Sequence, residues 1–118
     1  MSCDEFGRHQ EAVEAFQQAI RLKPNLAQAH YNLCKAYGNL GRYQEAVDAF
    51  IQAIRLKPDF TEAHYSLGLT YLLLDDKGWA MEEYKILKDL NQERANNLFD
   101  LILIYQESLK NYQKSLEK

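Results

Sequence analysis

Gly7-Arg8-His9-Gln10-Glu11-Ala12-Val13-Glu14-Ala15-Phe16 is written again, with two changes, as Gly41-Arg42-Tyr43-Gln44-Glu45-Ala46-Val47-Asp48-Ala49-Phe50. Ala19-Ile20-Arg21-Leu22-Lys23-Pro24 returns unchanged as Ala53-Ile54-Arg55-Leu56-Lys57-Pro58. With a shift of 34, residues 7–40 and 41–74 agree at 21 of 34 positions. A period of this length marks a stacked array of small units. Each unit buries its apolar face on its neighbours, and such arrays present extended surfaces to other proteins.

Each period reads as two helices. Over residues 25–40 the apolar side chains fall at Leu26, Ala29, Leu33, Ala36, Tyr37 and Leu40, a helical spacing. Tyr43, Ala46, Val47, Phe50, Ala53, Ile54 and Leu56 make a second stripe. Gly41 between them can take the left-handed backbone that closes a helix. Pro24 and Pro58 end the preceding helices, and Asn25 with Gln28, then Asp59 with Glu62, are spaced to cap the next ones. So short a connection makes the two helices an antiparallel pair. Ala12, Ala46 and Ala80, with Ala19 and Ala53, recur at the period and let helix axes approach closely. Phe16, Phe50 and Tyr84 recur as large fillers.

The series Leu33, Tyr37, Gly41, Ala46, Phe50, Ala53, Pro58 resembles the tetratricopeptide repeat, as does Leu67-Gly68, Tyr71, Ala80, Tyr84. His30 and His64 stand where that family often has Trp, and Cys34 where it has a small Gly. The resemblance spans residues 7–106. It implies an all-α, right-handed superhelical stack of antiparallel helix pairs, whose first helices line a concave groove. On that frame residues 7–24 are the second helix of an incomplete repeat. Residues 25–58 and 59–92 are complete repeats. After Arg94, the stripe of Leu98, Leu101, Ile102, Tyr105, Leu109, Tyr112 and Leu116 makes residues 94–116 a capping helix.

The resemblance also implies a peptide-binding groove formed by Gln28, Tyr31, Asn32, Lys35, Glu62, Tyr65, Leu69, Leu73, Phe99 and Leu103, with Asn39, Ser66, Asn96 and Asp100 at the same surface. Tyr31, Tyr65 and Phe99 recur at 34 and are expected to form an aromatic row. Leu69, Leu72 and Leu73 are apolar outside the stripe of Leu67, Tyr71 and Leu74, and a helix apolar on several faces must cover several faces. A clamp for the acidic tails of heat-shock chaperones would need converging cationic and amide donors. Only Asn32 and Lys35 qualify, while Glu62 and Asp100 repel. The stretch Ala29-His30-Tyr31-Asn32-Leu33 is similar to the repeats of the O-linked N-acetylglucosamine transferase arm, where Asn side chains hold peptide backbone, but Ser66 and Asp100 break that ladder. A protein or peptide partner is therefore expected. Two other roles fit: a targeting arm of a larger enzyme such as a glycosyltransferase, or a self-assembling scaffold. For the latter, helix 8–22 is expected to expose Val13, Phe16 and Ala19, a face able to receive another copy.

Chemistry within the chain is not expected. There is no Gly-rich phosphate loop or nucleophile elbow. Asp75-Asp76 and Glu82-Glu83 are consecutive, so each pair diverges and reads as caps or solvated charge. His30 and His64 fall on different helices, roughly 10 Å apart by ordinary helix packing, and read as packing residues; no metal or cofactor is expected. His9 reads as a surface or packing residue, and Trp79, at a helix start, as a packing residue. The net charge of −3 argues against nucleic-acid binding. No apolar run reaches membrane-spanning length. Cys3 and Cys34 lack metal spacing, so reduced thiols in a cytoplasmic setting are expected.

Overall fold

The computed structural model describes the backbone of residues 2–117 and the side chains of residues 7–117. It contains six helices, with no strand among the described residues. They are α1 (Ser2–Leu22), α2 (Ala27–Asn39), α3 (Tyr43–Leu56), α4 (Thr61–Leu73), α5 (Lys77–Leu90) and α6 (Gln92–Glu117). Helices α2 and α3 form one hairpin and α4 and α5 the next; α1 packs on α2, and α6 on α5 and α4. The molecule measures 54 × 40 × 19 Å. Since one helix with side chains is about 10–12 Å across, the thin dimension is two helix layers.

The two hairpin turns are built alike from different residues. In the first, the Arg42 amide donates to Tyr37 O and the Gly41 amide to Gly38 O. In the second, the Asp76 amide donates to Tyr71 O and the Asp75 amide to Leu72 O. This pair of hydrogen bonds closes a helix through one left-handed residue. Gly41 takes that role at φ 76°, and Asp75 takes it at φ 63°. Asp tolerates the conformation better than most side chains, though at a cost glycine does not bear.

The helix starts differ from the sequence reading. Leu26 and Phe60 are the N-cap residues of α2 and α4, and neither start has a side-chain cap. Asn25 and Asp59 lie in the turns instead, because each helix begins two residues after them. Side-chain capping occurs at the starts of α5 and α6: Asp76 Oδ1 accepts from the Trp79 amide at 3.2 Å, and Asn91 Oδ1 from the Arg94 amide at 3.1 Å.

Val13 does not belong to an open face. It is 2% exposed, in a cluster with Leu33, Cys34, Tyr37 and Phe50, and Phe16 is half-buried against the same cluster. The α1 stripe is used to cover α2, so the expected self-association face of Val13, Phe16 and Ala19 is corrected: its centre is core. A second cluster joins Ala80, Leu87, Ala95, Leu98 and Ile102. Tyr71 packs against both clusters.

Gly68 fixes how α6 docks. A Cβ there would lie 2.6 Å from Leu98 Cδ2, so α6 seats against bare backbone. One period on, Ile102 stands where Cys34 and Gly68 stood, and it is fully buried. Leu101, the counterpart of buried Leu33 and Leu67, is instead exposed. The linker supplies the reason. Four residues join α3 to α4, but Asn91 alone joins α5 to α6. Helix α6 therefore starts at Gln92 rather than 94 and turns Ala95, Leu98 and Ile102 onto the preceding hairpin.

Candidate functional site

Helix α4 is apolar on more than one side, and α6 covers only part of it. Leu67 and Gly68 are buried, Leu69 and Leu72 are half-buried, and Leu73 is 63% exposed. Across from them α6 brings Leu101, Ile104 and Tyr105. Together these six residues line an open cleft of about 590 Å³ whose wall holds no charged side chain. Leu69 and Leu73 are among the residues expected from the sequence to line a groove. Leu101, Ile104 and Tyr105 are not, because their position depends on how α6 is turned.

The remaining groove candidates are each held by contacts of their own. Tyr31 packs on Phe60 at 5.0 Å and Phe50 at 6.1 Å between ring centroids, and its hydroxyl lies 3.5 Å from Ser66 Oγ. Tyr65 lies under the Arg94 guanidinium, 5.0 Å from the ring centroid, and Arg94 also pairs with Glu62 at 3.1 Å. Phe99 packs on Tyr84 at 5.0 Å. Each aromatic thus has a local partner. Gln28 donates to Asn32 Oδ1 at 3.1 Å. Asn32 and Lys35, with Asn39, line a smaller cleft of about 190 Å³ beside His9, Ala12, Phe16 and Ala36. Leu103 is exposed and lies outside the apolar cleft.

Behind the α4 leucines sits a buried polar pair that the sequence reading missed. His64 Nδ1 lies 2.8 Å from Glu83 Oε1, and His64 Nε2 lies 2.8 Å from Pro58 O. Both residues are buried. The expectation that Glu83 is a solvated charge is corrected; only Glu82 is exposed, paired with Lys85 at 3.4 Å. Both ring nitrogens of His64 face acceptors, and only an imidazolium donates to both. Burial opposes that charge, but the hydrogen bonds to Glu83 and Pro58 O and the carboxylate charge outweigh it, raising the His64 pKa. His30 makes the equivalent bond to Pro24 O at 2.9 Å. Its counterpart of Glu83 is Ala49, so it lacks a carboxylate. These imidazoles are staples between helix and turn. Among the described residues no group of three or more His, Cys, Asp or Glu is placed to hold a metal ion.

Two family models match the chain. One, described as TPR repeat, matches residues 5–41; the other, described as tetratricopeptide repeat, matches residues 27–60. Residues 5–60 match the tetratricopeptide repeat.

Solved tetratricopeptide structures share its fold. A crystal structure of MamA protein is 28% identical, aligned over 96% of this chain and 65% of that one, with TM-score 0.76. A tetratricopeptide repeat protein from Parabacteroides merdae is 22% identical, over 86% of this chain and 41% of that one, with TM-score 0.79. The TPR2B domain of yeast Sti1, in a complex with pHsp70, is 20% identical over 86% of each chain, with TM-score 0.75. The chain spans about half the length of several of these relatives, 49% of one MamA structure and 41% of the Parabacteroides protein. A search of curated proteins gives no match. Against the tetratricopeptide frame, the departures concentrate at the second hairpin and α6. There Asp75 replaces the turn glycine, Ile102 replaces the small residue, and the apolar cleft opens. No helix among the described residues is long and apolar enough to cross a membrane.

Proposed function

We propose that this tetratricopeptide domain is a non-catalytic protein-interaction module whose docking surface is the cleft between α4 and α6. The observation that carries this reading is the wall of Leu69, Leu72, Leu73, Leu101, Ile104 and Tyr105, apolar and open to solvent. Exposed apolar patches of this kind mark sites where proteins meet. The ligand it fits is an amphipathic helix or short peptide with apolar anchors, laid between two helices that act as rails. The rails are stiff, because Leu98 is seated in the notch at Gly68 and His64 ties α4 to α5. The tetratricopeptide match over residues 5–60 supports an interaction role, and the Sti1 domain in complex with pHsp70 is an instance of a similar fold holding a protein ligand. No cofactor enters this reading.

The test is selection of peptides from a displayed library on the purified chain, followed by affinity measurement against Leu73→Asp and Ile104→Asp. Both positions are mostly exposed, so the substitutions spare the fold. Burying each side chain on binding is worth about 1–2 kcal/mol, so each change should weaken binding roughly tenfold or more. Peptides that bind the variants as well as the parent would remove the cleft from consideration.

A further inference from the structure

Helix α6 carries a longer pattern than the cleft uses. Ala95, Leu98, Ile102, Tyr105, Leu109, Tyr112 and Leu116 are separated by three and four residues in strict alternation. That is the seam of a two-helix supercoil. The first three are buried against α4 and α5, at 0%, 0% and 1% exposure. Beyond Ile102 no residue of α6 is buried. With 26 residues it is about 39 Å long, whereas α5 with 14 is about 21 Å, so its second half runs past the hairpin. Over that half the seam continues, with Leu109, Tyr112 and Leu116 at 41%, 61% and 68% exposure. The residues flanking it are Gln106, Ser108, Gln113 and Ser115, all uncharged. Glu107, Lys110, Lys114 and Glu117 lie off the seam, two of each sign.

We propose that the exposed half of this seam pairs, antiparallel, with the same half of α6 from a second copy of the chain. Charge and shape both select that occupant. Uncharged flanks place no like charges face to face when the helix meets itself, and a balanced segment offers nothing to a strongly charged partner. Orientation follows from the body of the molecule. Each hairpin lies on the seam side of its own α6, so a parallel pair would drive the two hairpins into each other. An antiparallel pair sends them to opposite ends. Tyr105 then faces Leu116 of the second copy, and Leu109 faces its Tyr112. The incoming helix runs over a cleft of about 260 Å³ where the seam leaves the body, lined in part by Tyr105, Gln106, Leu109 and Gln113. The contact uses the same patch on both copies, so it closes at two. The two surfaces meet at Tyr105, but Leu109 and Tyr112 lie outside the apolar cleft, so changes there test the pairing and leave the cleft wall in place.

The experiment is sedimentation equilibrium of the 118-residue chain, of Leu109→Lys, of Tyr112→Glu, and of the two variants mixed in equal amounts. Circular dichroism of each confirms that helix content is kept. The parent should show a reversible monomer–dimer equilibrium with no larger species. Each variant alone should lose at least tenfold in association. The mixture should regain a dimer, because residue 109 of one copy meets residue 112 of the other. A parent that stays monomeric to its highest soluble concentration overturns the proposal. So does a dimer that both variants leave intact, and so does a mixture that stays monomeric while the parent dimerises. Retention of peptide binding by both variants separates this result from the groove test.

Discussion

Replacing Glu83 with Ala should cost far more than its place in a hairpin helix suggests. The carboxylate is buried 2.8 Å from His64 Nδ1, and the other ring nitrogen is committed to Pro58 O at 2.8 Å. Removing the acid leaves a buried imidazole that must either stay charged without its counter-ion or lose its proton and one of its bonds. Breaking a buried pair from one side costs about 3–5 kcal/mol. For a chain of this size about 3 kcal/mol lowers Tm by on the order of 10 °C. The pair should also make stability depend on pH. The folded pKa of His64 is raised above its unfolded value. Its contribution is therefore complete below the unfolded value, about 6.5, and is lost as pH rises through the higher folded one. The slope is at most about 1.4 kcal/mol per pH unit for one proton. Tyr71 on α4, its own pKa raised by burial and by the charges of Glu83, Asp76 and Asp48, is the other titrating group there and ionises at higher pH. The assay is urea unfolding followed by circular dichroism from mildly acidic to mildly alkaline pH, for the parent, Glu83→Ala, Glu83→Gln and His64→Gln. The parent should weaken as pH rises past neutrality, and this dependence should vanish in His64→Gln. A cost below about 1 kcal/mol for Glu83→Ala would refute the argument that buried pairs are expensive to break. So would an unchanged pH profile without the imidazole.

Two further outcomes follow from single residues. Cys34 is buried, donates to His30 O at 3.0 Å, and has its thiol pKa pushed far above the ordinary range by burial. It should resist alkylation in the folded chain and react once urea unfolds it, as mass spectrometry after timed labelling would show. Asp75 holds a left-handed backbone that Gly41 holds at the equivalent turn. Asp75→Gly should therefore raise stability by about 0.5–1 kcal/mol in the same urea assay; a loss would mean that the carboxylate itself supports the turn.

The missed features share one character. Glu83 sits beside Glu82 in the sequence, and nothing local separates them. One points to water and the other into the α4–α5 contact, because consecutive helical residues lie about 100° apart. Its partner is 19 positions away, so only the docked hairpin shows the pair. Leu101 failed in the opposite sense. Its period predicted burial, but the one-residue linker at Asn91 turned α6, so Ile102 went inside and Leu101 out. Tyr31, Tyr65 and Phe99 each also have a local partner, a neighbouring ring or a cation, that the 34-residue spacing does not name.

What the residues alone determined was the repeat, the hairpins and the helix closures. These depend on spacing within a few turns, on a glycine able to take positive φ, and on small side chains at fixed intervals. Whether an apolar face meets a neighbour or solvent was decided only by tertiary packing. Val13 became core because α2 needed its cover, while Leu73, Ile104 and the far half of α6 stayed open because no described helix extends to them. Periodicity sets which side chains share a face. The rotation and reach of the whole helix set what that face touches.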